Sequence, residues 1–131
     1  MSANTLRCPC GGADYSVCCG RYHGGLPAPD AEALMRSRYS AYVLGLESYL
    51  LATWHPDTRP AELDLAADKM KWIGLDIKNC TAESADQATV EFVARYKIAG
   101  RAHRLHEISR FVCVEGQWFY VDGKFPARRE R

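Results

Sequence analysis

Four of the six cysteines fall within the stretch CPCGGADYSVCCG, as Cys8, Cys10, Cys18 and Cys19. Two close thiol pairs separated by a short loop can wrap one tetrahedral ion, and zinc takes four sulfur ligands in closed structural sites. Gly11 and Gly12 let the intervening loop bend tightly, and Gly20 with the pair Gly24 and Gly25 allows further reversals. The larger apolar residues up to Leu26 are Leu6, Tyr15, Val17, Tyr22 and Leu26. That is too few for a core, and zinc binding, at roughly 10 to 16 kcal/mol for small structural sites, is ample to order so short a piece. Two other readings stand beside this one: a reversible thiol/disulfide switch, and burial of unrelated thiols. His23 is near enough in sequence to replace one of the adjacent cysteines, although four thiolates with His23 outside the ligand set is the favoured arrangement. Four protein sulfurs leave no coordination position for water, which argues against a catalytic metal.

Outside this cluster the residues that invite a chemical role are Arg36, Arg38, Trp54, His55, Glu107, Arg110 and Asp122. They are candidates either to line a pocket or to form structural ion pairs between helix and sheet. Arg110 falls on the same strand face as Ile108, Val112 and Val114, an apolar face expected to point inward; Glu107 falls on the opposite face, which leaves Asp122 as the candidate partner of Arg110. His55 can titrate near neutrality, yet its place between Trp54 and Pro56 equally suits the end of a helix. His103 and His106, in a basic stretch, read as solvated or rim residues, and Cys80 and Cys113 as ordinary buried thiols. No nucleophile elbow, phosphate loop or paired-carboxylate signature appears, so an enzyme is the less favoured reading.

The elements that must position these groups follow from periodicity. GGLPAPD interrupts regular structure and marks a boundary between a small module at 1–28 and a larger domain at 29–131. Asp30 stands at a helix N-cap with Glu32 in the first turn, and Met35, Tyr39, Tyr42, Val43 and Leu46 share one face of a helix reaching Leu44 or Leu46. A second helix spans about 47–53 before Trp54, His55 and Pro56, and PAELDLAADKM reads as a third. From Ile73 onward the period becomes two: Ile73, Leu75 and Ile77, then Val90, Phe92, Ala94, Tyr96 and Ile98. A turn at Gly100 leads into RLHEISRFVCV, and Glu115-Gly116 give a tight turn into QWFYVDG. Helices followed by a run of strands predict an α+β fold, with helices packed on one face of an antiparallel sheet.

The chain of 131 residues, with 17 basic and 16 acidic residues, carries no global charge that would favour nucleic acid or a membrane surface. No signal-peptide run or membrane-length apolar window is read, so the expected compartment is the cytoplasm, where thiols stay reduced.

The motif CPCG…CCG resembles the SEC-C motif, a zinc-binding module known from the bacterial preprotein-translocation ATPase. By that resemblance Cys8, Cys10, Cys18 and Cys19 map onto zinc ligands. The segments LMRSRYSAYVLG, YLLATWHP, WIGLDI, VEFVARY, HEISRF and GQWFYVDG resemble the YchJ-like family of bacterial proteins. That resemblance implies a cone-shaped fold like that of nuclear transport factor 2, with three helices and a curved sheet around a pocket. The thiol loop is one residue shorter than the usual motif and lacks its lysines, so charge does not favour an acidic chaperone or ribosomal RNA as partner.

Three functions are carried forward. The first is a cytoplasmic adaptor in which structural Zn2+ orders a module that binds another protein. The second is a small-molecule-binding protein or enzyme that uses the cone pocket, and the third is a thiol/zinc redox sensor. Folds of this type also pair through the open sheet face, so a homodimer is an expectation.

Overall fold

The computed structural model describes residues 7–63 and 70–126. After a turn of 3-10 helix at Tyr15–Val17 come α1 (Cys19–His23), α2 (Ala31–Leu44) and α3 (Glu47–Ala52). Four strands follow: β1 (Lys71–Ser84), β2 (Gln87–Ile98), β3 (Arg101–Val114) and β4 (Gln117–Lys124). The fold is α+β, as expected. The expected third helix over 60–70 falls largely on residues 64–69, which lie outside the described ones.

Helix α2 begins where Asp30 accepts the Ala33 N–H at 2.8 Å, a cap of the kind that stabilises a helix by about 1 kcal/mol. It ends at Gly45, whose φ of 73° lies in the left-handed region that glycine enters without strain. Val43 is exposed, contrary to the expected face, whereas Leu34, Met35, Ser37, Arg38, Tyr39, Ser40 and Ala41 are buried. That burial is too broad for one stripe, because the cysteine segment contacts one side of α2 and aromatic side chains from the sheet contact another.

The sheet is an antiparallel meander in the order β1-β2-β3-β4. Ala99-Gly100 and Glu115-Gly116 each place two successive residues at positive φ, the backbone of a tight turn that matches strand twist. Irregularities interrupt the β1–β2 pairing at three points and the β3–β4 pairing between Arg110 and Phe111, and such bulges bend strands.

The bulges also re-aim side chains. Between Trp72 and Gly74 the register shifts, so Trp72 packs against the core while Ile73 is exposed, which corrects the expected Ile73, Leu75, Ile77 face. On β2, Val90, Phe92 and Ala94 are buried as expected, and Ile98 is exposed. On β3 the inward face is the alternate one: Glu107, Ser109 and Phe111 are buried, and Arg110 is exposed. A shift of one residue exchanges the two faces of a strand. Burial of Phe111 together with an exposed Arg110–Asp122 ion pair accounts for the orientation adopted.

Candidate functional site

The cysteine segment folds as a knuckle. Cys8 N–H donates to Ala13 at 2.9 Å, and Gly11 N–H donates back to Cys8 at 3.0 Å. The Sγ atoms of Cys8, Cys10, Cys18 and Cys19 all lie within 4.8 Å of one another, close enough for one metal ion to bind all four. A Cβ at Gly12 would stand 2.8 Å from Cys18 Sγ and 3.5 Å from Cys10 Sγ, so glycine there leaves the sulfurs room to converge. Hydrogen bonds from Cys19, the Gly12 amide, Cys18 and Cys8 draw the Cys10 thiol down to about 4, against the opposing effect of burial. Its hydrogen bond to Cys10 pushes Cys19 up, and burial pushes Cys18 up. Without a metal the cluster thus favours one thiolate, at Cys10, and the four-sulfur donor set fits a soft divalent cation.

His23 stands beside this set. Its Nε2 contacts the Ser37 carbonyl at 2.8 Å, which requires that nitrogen to donate, and Nδ1 is then left to accept from the Tyr15 hydroxyl. Both ring nitrogens are therefore engaged. The segment is fixed to α2 at two further points. Arg36 donates from Nη1 to the Cys10 carbonyl at 3.1 Å while its Nε pairs with Glu32, and Ser40 Oγ lies 3.5 Å from Cys8 Sγ.

A cavity of about 270 Å³ opens beside α2, walled by Met35, Tyr39, Tyr42, Trp54, Trp72, Phe92 and Leu105, with Arg38, Glu107, Ser109 and Tyr120 as polar lining. Arg38 is only 4% exposed. Its Nη1 donates to the Leu50 carbonyl and to Thr53 Oγ1, each at 2.8 Å. The guanidinium carbon lies 4.6 Å from the Tyr120 ring centre and 5.0 Å from that of Trp54, within the range of cation–π attraction. Burial lowers the Arg38 pKa, opposed by the field of Tyr42, Tyr120, Tyr49 and Glu107.

Glu107, 9% exposed, accepts at Oε2 from Ser109 Oγ at 2.8 Å and from the Tyr120 hydroxyl at 3.2 Å. Burial raises the Tyr120 pKa, with the Glu107 charge second, so the phenol remains a donor. The chain after α3 closes this side, because Tyr120 N–H donates to Thr53 and His55 N–H donates to Tyr120.

Of the candidates named from sequence, Arg38, Trp54 and Glu107 line the cavity together. Arg36 belongs to the cysteine side of α2. His55 lies outside the cavity lining, where Nδ1 accepts the Asp57 amide hydrogen at 3.1 Å. Arg110 and Asp122 form a two-pronged ion pair at 2.7 and 2.8 Å away from the cavity, so the inward placing of Arg110 is corrected. Cys80 is exposed rather than buried, with its thiol 3.6 Å from Glu32. Sequence reasoning did not find Tyr39, Tyr42, Trp72 and Tyr120 as cavity walls, nor Glu107 as an inward group. The usable signal was the alternation Leu105, Glu107, Ser109, Phe111.

Comparison with known proteins places the chain. Residues 30–123 match the family model described as the YchJ middle NTF2-like domain. A UPF0225 protein of Chromobacterium violaceum is 60% identical over 122 residues, covering 88% of this chain and 90% of the relative. A UPF0225 protein of Bordetella pertussis is 61% identical over 120 residues, with the same coverage. The solution structure of a SEC-C motif containing protein from Rhodopseudomonas palustris superposes with a TM-score of 0.82 at 31% identity, covering 93% of this chain and all of that one. A SEC-C motif containing protein from Psychrobacter arcticus gives 0.74 at 29% identity, covering 99% of this chain and 80% of that one. With its cysteine knuckle joined to a helix-and-sheet cone, the chain belongs to the YchJ-like UPF0225 family.

Proposed function

We propose that this chain is a ligand-binding protein whose cavity is braced by a structural Zn2+ held by Cys8, Cys10, Cys18 and Cys19. The observation that carries the reading is the double use of one helix. Arg36, Ser37 and Ser40 of α2 hold the cysteine segment, while Met35, Arg38, Tyr39 and Tyr42 of the same helix line the cavity. A metal that fixes the segment therefore also fixes the helix, and the helix sets the cavity wall. Mostly apolar walls with a few convergent polar groups are the usual make-up of a small-molecule site. Four sulfurs in the described cluster support a closed metal site whose work is structural.

The test is a thermal-shift screen of small organic compounds on the zinc-loaded full chain. A ligand at a hundred times its Kd stabilises by about 2.7 kcal/mol, and the shift should vanish in Leu105→Trp, which fills the cavity. A screen in which no compound raises the melting temperature of the parent chain contradicts the reading.

A second reading, a cytoplasmic adaptor, has its own observation. Val17 and Leu26, both in the cysteine segment, are exposed, and such residues can seat a protein partner. Val17→Asp with Leu26→Asp would then abolish partner capture in a crosslinked pull-down while leaving zinc content unchanged. Capture that survives both substitutions removes this reading.

A further inference from the structure

The ligand class can be taken further from the polar groups that the cavity leaves unused, an inference that rests on the cavity being a binding site. Arg38 spends Nη1 on Leu50 and Thr53. Among the described residues no acceptor meets its Nε or Nη2, and no carboxylate forms an ion pair with it. Glu107 takes both of its described hydrogen bonds on Oε2, which leaves Oε1 without a described donor. An unmet buried polar group costs about 1 to 3 kcal/mol.

These two groups specify a complement. Arg38 asks for an acceptor, and Glu107 asks for a donor. A simple carboxylate would satisfy Arg38 and leave a second negative charge in the cavity with Glu107; a simple cation would meet Glu107 and oppose Arg38. A neutral molecule with an acceptor and an N–H on one edge answers both without adding a buried charge. Tyr39, Tyr42, Trp54 and Trp72 line the space with aromatic rings, which favours a flat body, since aromatic surfaces pack well against planar rings. The cavity of about 270 Å³ lies at the small end of ligand pockets, which suits one or two fused rings.

We propose that the cavity binds a neutral, planar heteroaromatic lactam of one or two rings, its carbonyl oxygen on the free edge of Arg38 and its ring N–H on Glu107 Oε1. The ring system lies among the aromatic walls.

The test uses the zinc-loaded full chain and five probes followed by tryptophan fluorescence and calorimetric titration. Hypoxanthine carries the lactam edge, 1-methylhypoxanthine blocks its N–H, purine lacks its carbonyl, benzoate is a flat carboxylate and indole a flat control. Hypoxanthine should bind at least tenfold more tightly than each of the other four. Glu107→Gln should reduce that preference over 1-methylhypoxanthine, and Arg38→Met should reduce the preference over purine, with circular dichroism confirming that each variant is folded. Equal binding of all five, or tightest binding of benzoate, overturns the lactam assignment while leaving the cavity a ligand site. If no probe binds and the compound screen is also blank, both this inference and the ligand-binding reading fall.

Discussion

A Cβ at position 123 would lie 1.9 Å from Glu107 Oε2 and 2.6 Å from its carboxyl carbon, so the absence of a side chain at Gly123 is what gives Glu107 its place. The contact crosses from β4 to β3 and holds the carboxylate where Ser109 and Tyr120 can reach it. The bulge between Arg110 and Phe111 in the same pairing offsets the two strands by one residue just before this point.

Gly123→Ala must therefore displace a buried carboxylate or shift β4, at about 1 to 3 kcal/mol. If the clash is the cause, Glu107→Ala should absorb much of that loss, and the double variant should be more stable than the sum of the single effects predicts. Urea midpoints of the four proteins decide this; strict additivity would show that Gly123 matters for another reason.

The cysteine knuckle makes a parallel demand at Gly12, where a Cβ would stand 2.8 Å from Cys18 Sγ. On the zinc reading, Gly12→Ala should weaken metal affinity tenfold or more, since groups that orient ligands commonly carry 10- to 100-fold of affinity. Competition with a chromophoric chelator measures it. Unchanged affinity would mean that the loop moves aside freely.

Tyr120 sets an alkaline limit. Burial, then the nearby Glu107 charge, raises its pKa above the ordinary value of 10. Above pH 10 the unfolded chain releases this proton while the folded chain keeps it, so the folded state binds more protons and stability falls as pH rises. The contribution is fully present below pH 10 and is lost through the range above it. Tyr120→Phe should flatten the fall between pH 10 and 11, by up to about 1.4 kcal/mol per pH unit for one group. Denaturant midpoints across pH 9 to 11 check this, and an unchanged slope would contradict the burial argument.

Much of this organisation was legible in the residues. The paired cysteines, the Asp30 cap and the turns at Gly100 and Gly116 each have a local cause, so spacing alone located them. What failed was long-range. Simple alternation puts Ile73 and Arg110 on the inner face, but bulges and pairing register choose the face, and a single strand does not contain that information. The apolar pattern Ile108, Val112, Val114 even favoured the wrong side of β3, because Glu107 and Ser109 are inward polar groups serving a cavity. Arg38 was legible as a candidate only because its helix was, and its aromatic neighbours come from residues as distant as Tyr120.

On the proposed reading, Cys8, Cys10, Cys18 and Cys19 hold one structural zinc, and that metal braces α2. Native mass spectrometry of the full chain, beside Cys8→Ser with Cys10→Ser, decides this when paired with amide hydrogen exchange. One zinc per parent chain and none in the double variant are expected, with lost protection in the cysteine segment and at Arg36 to Ser40 of α2. Stoichiometric zinc retained by the double variant, or α2 protection unchanged after the metal is lost, would contradict it.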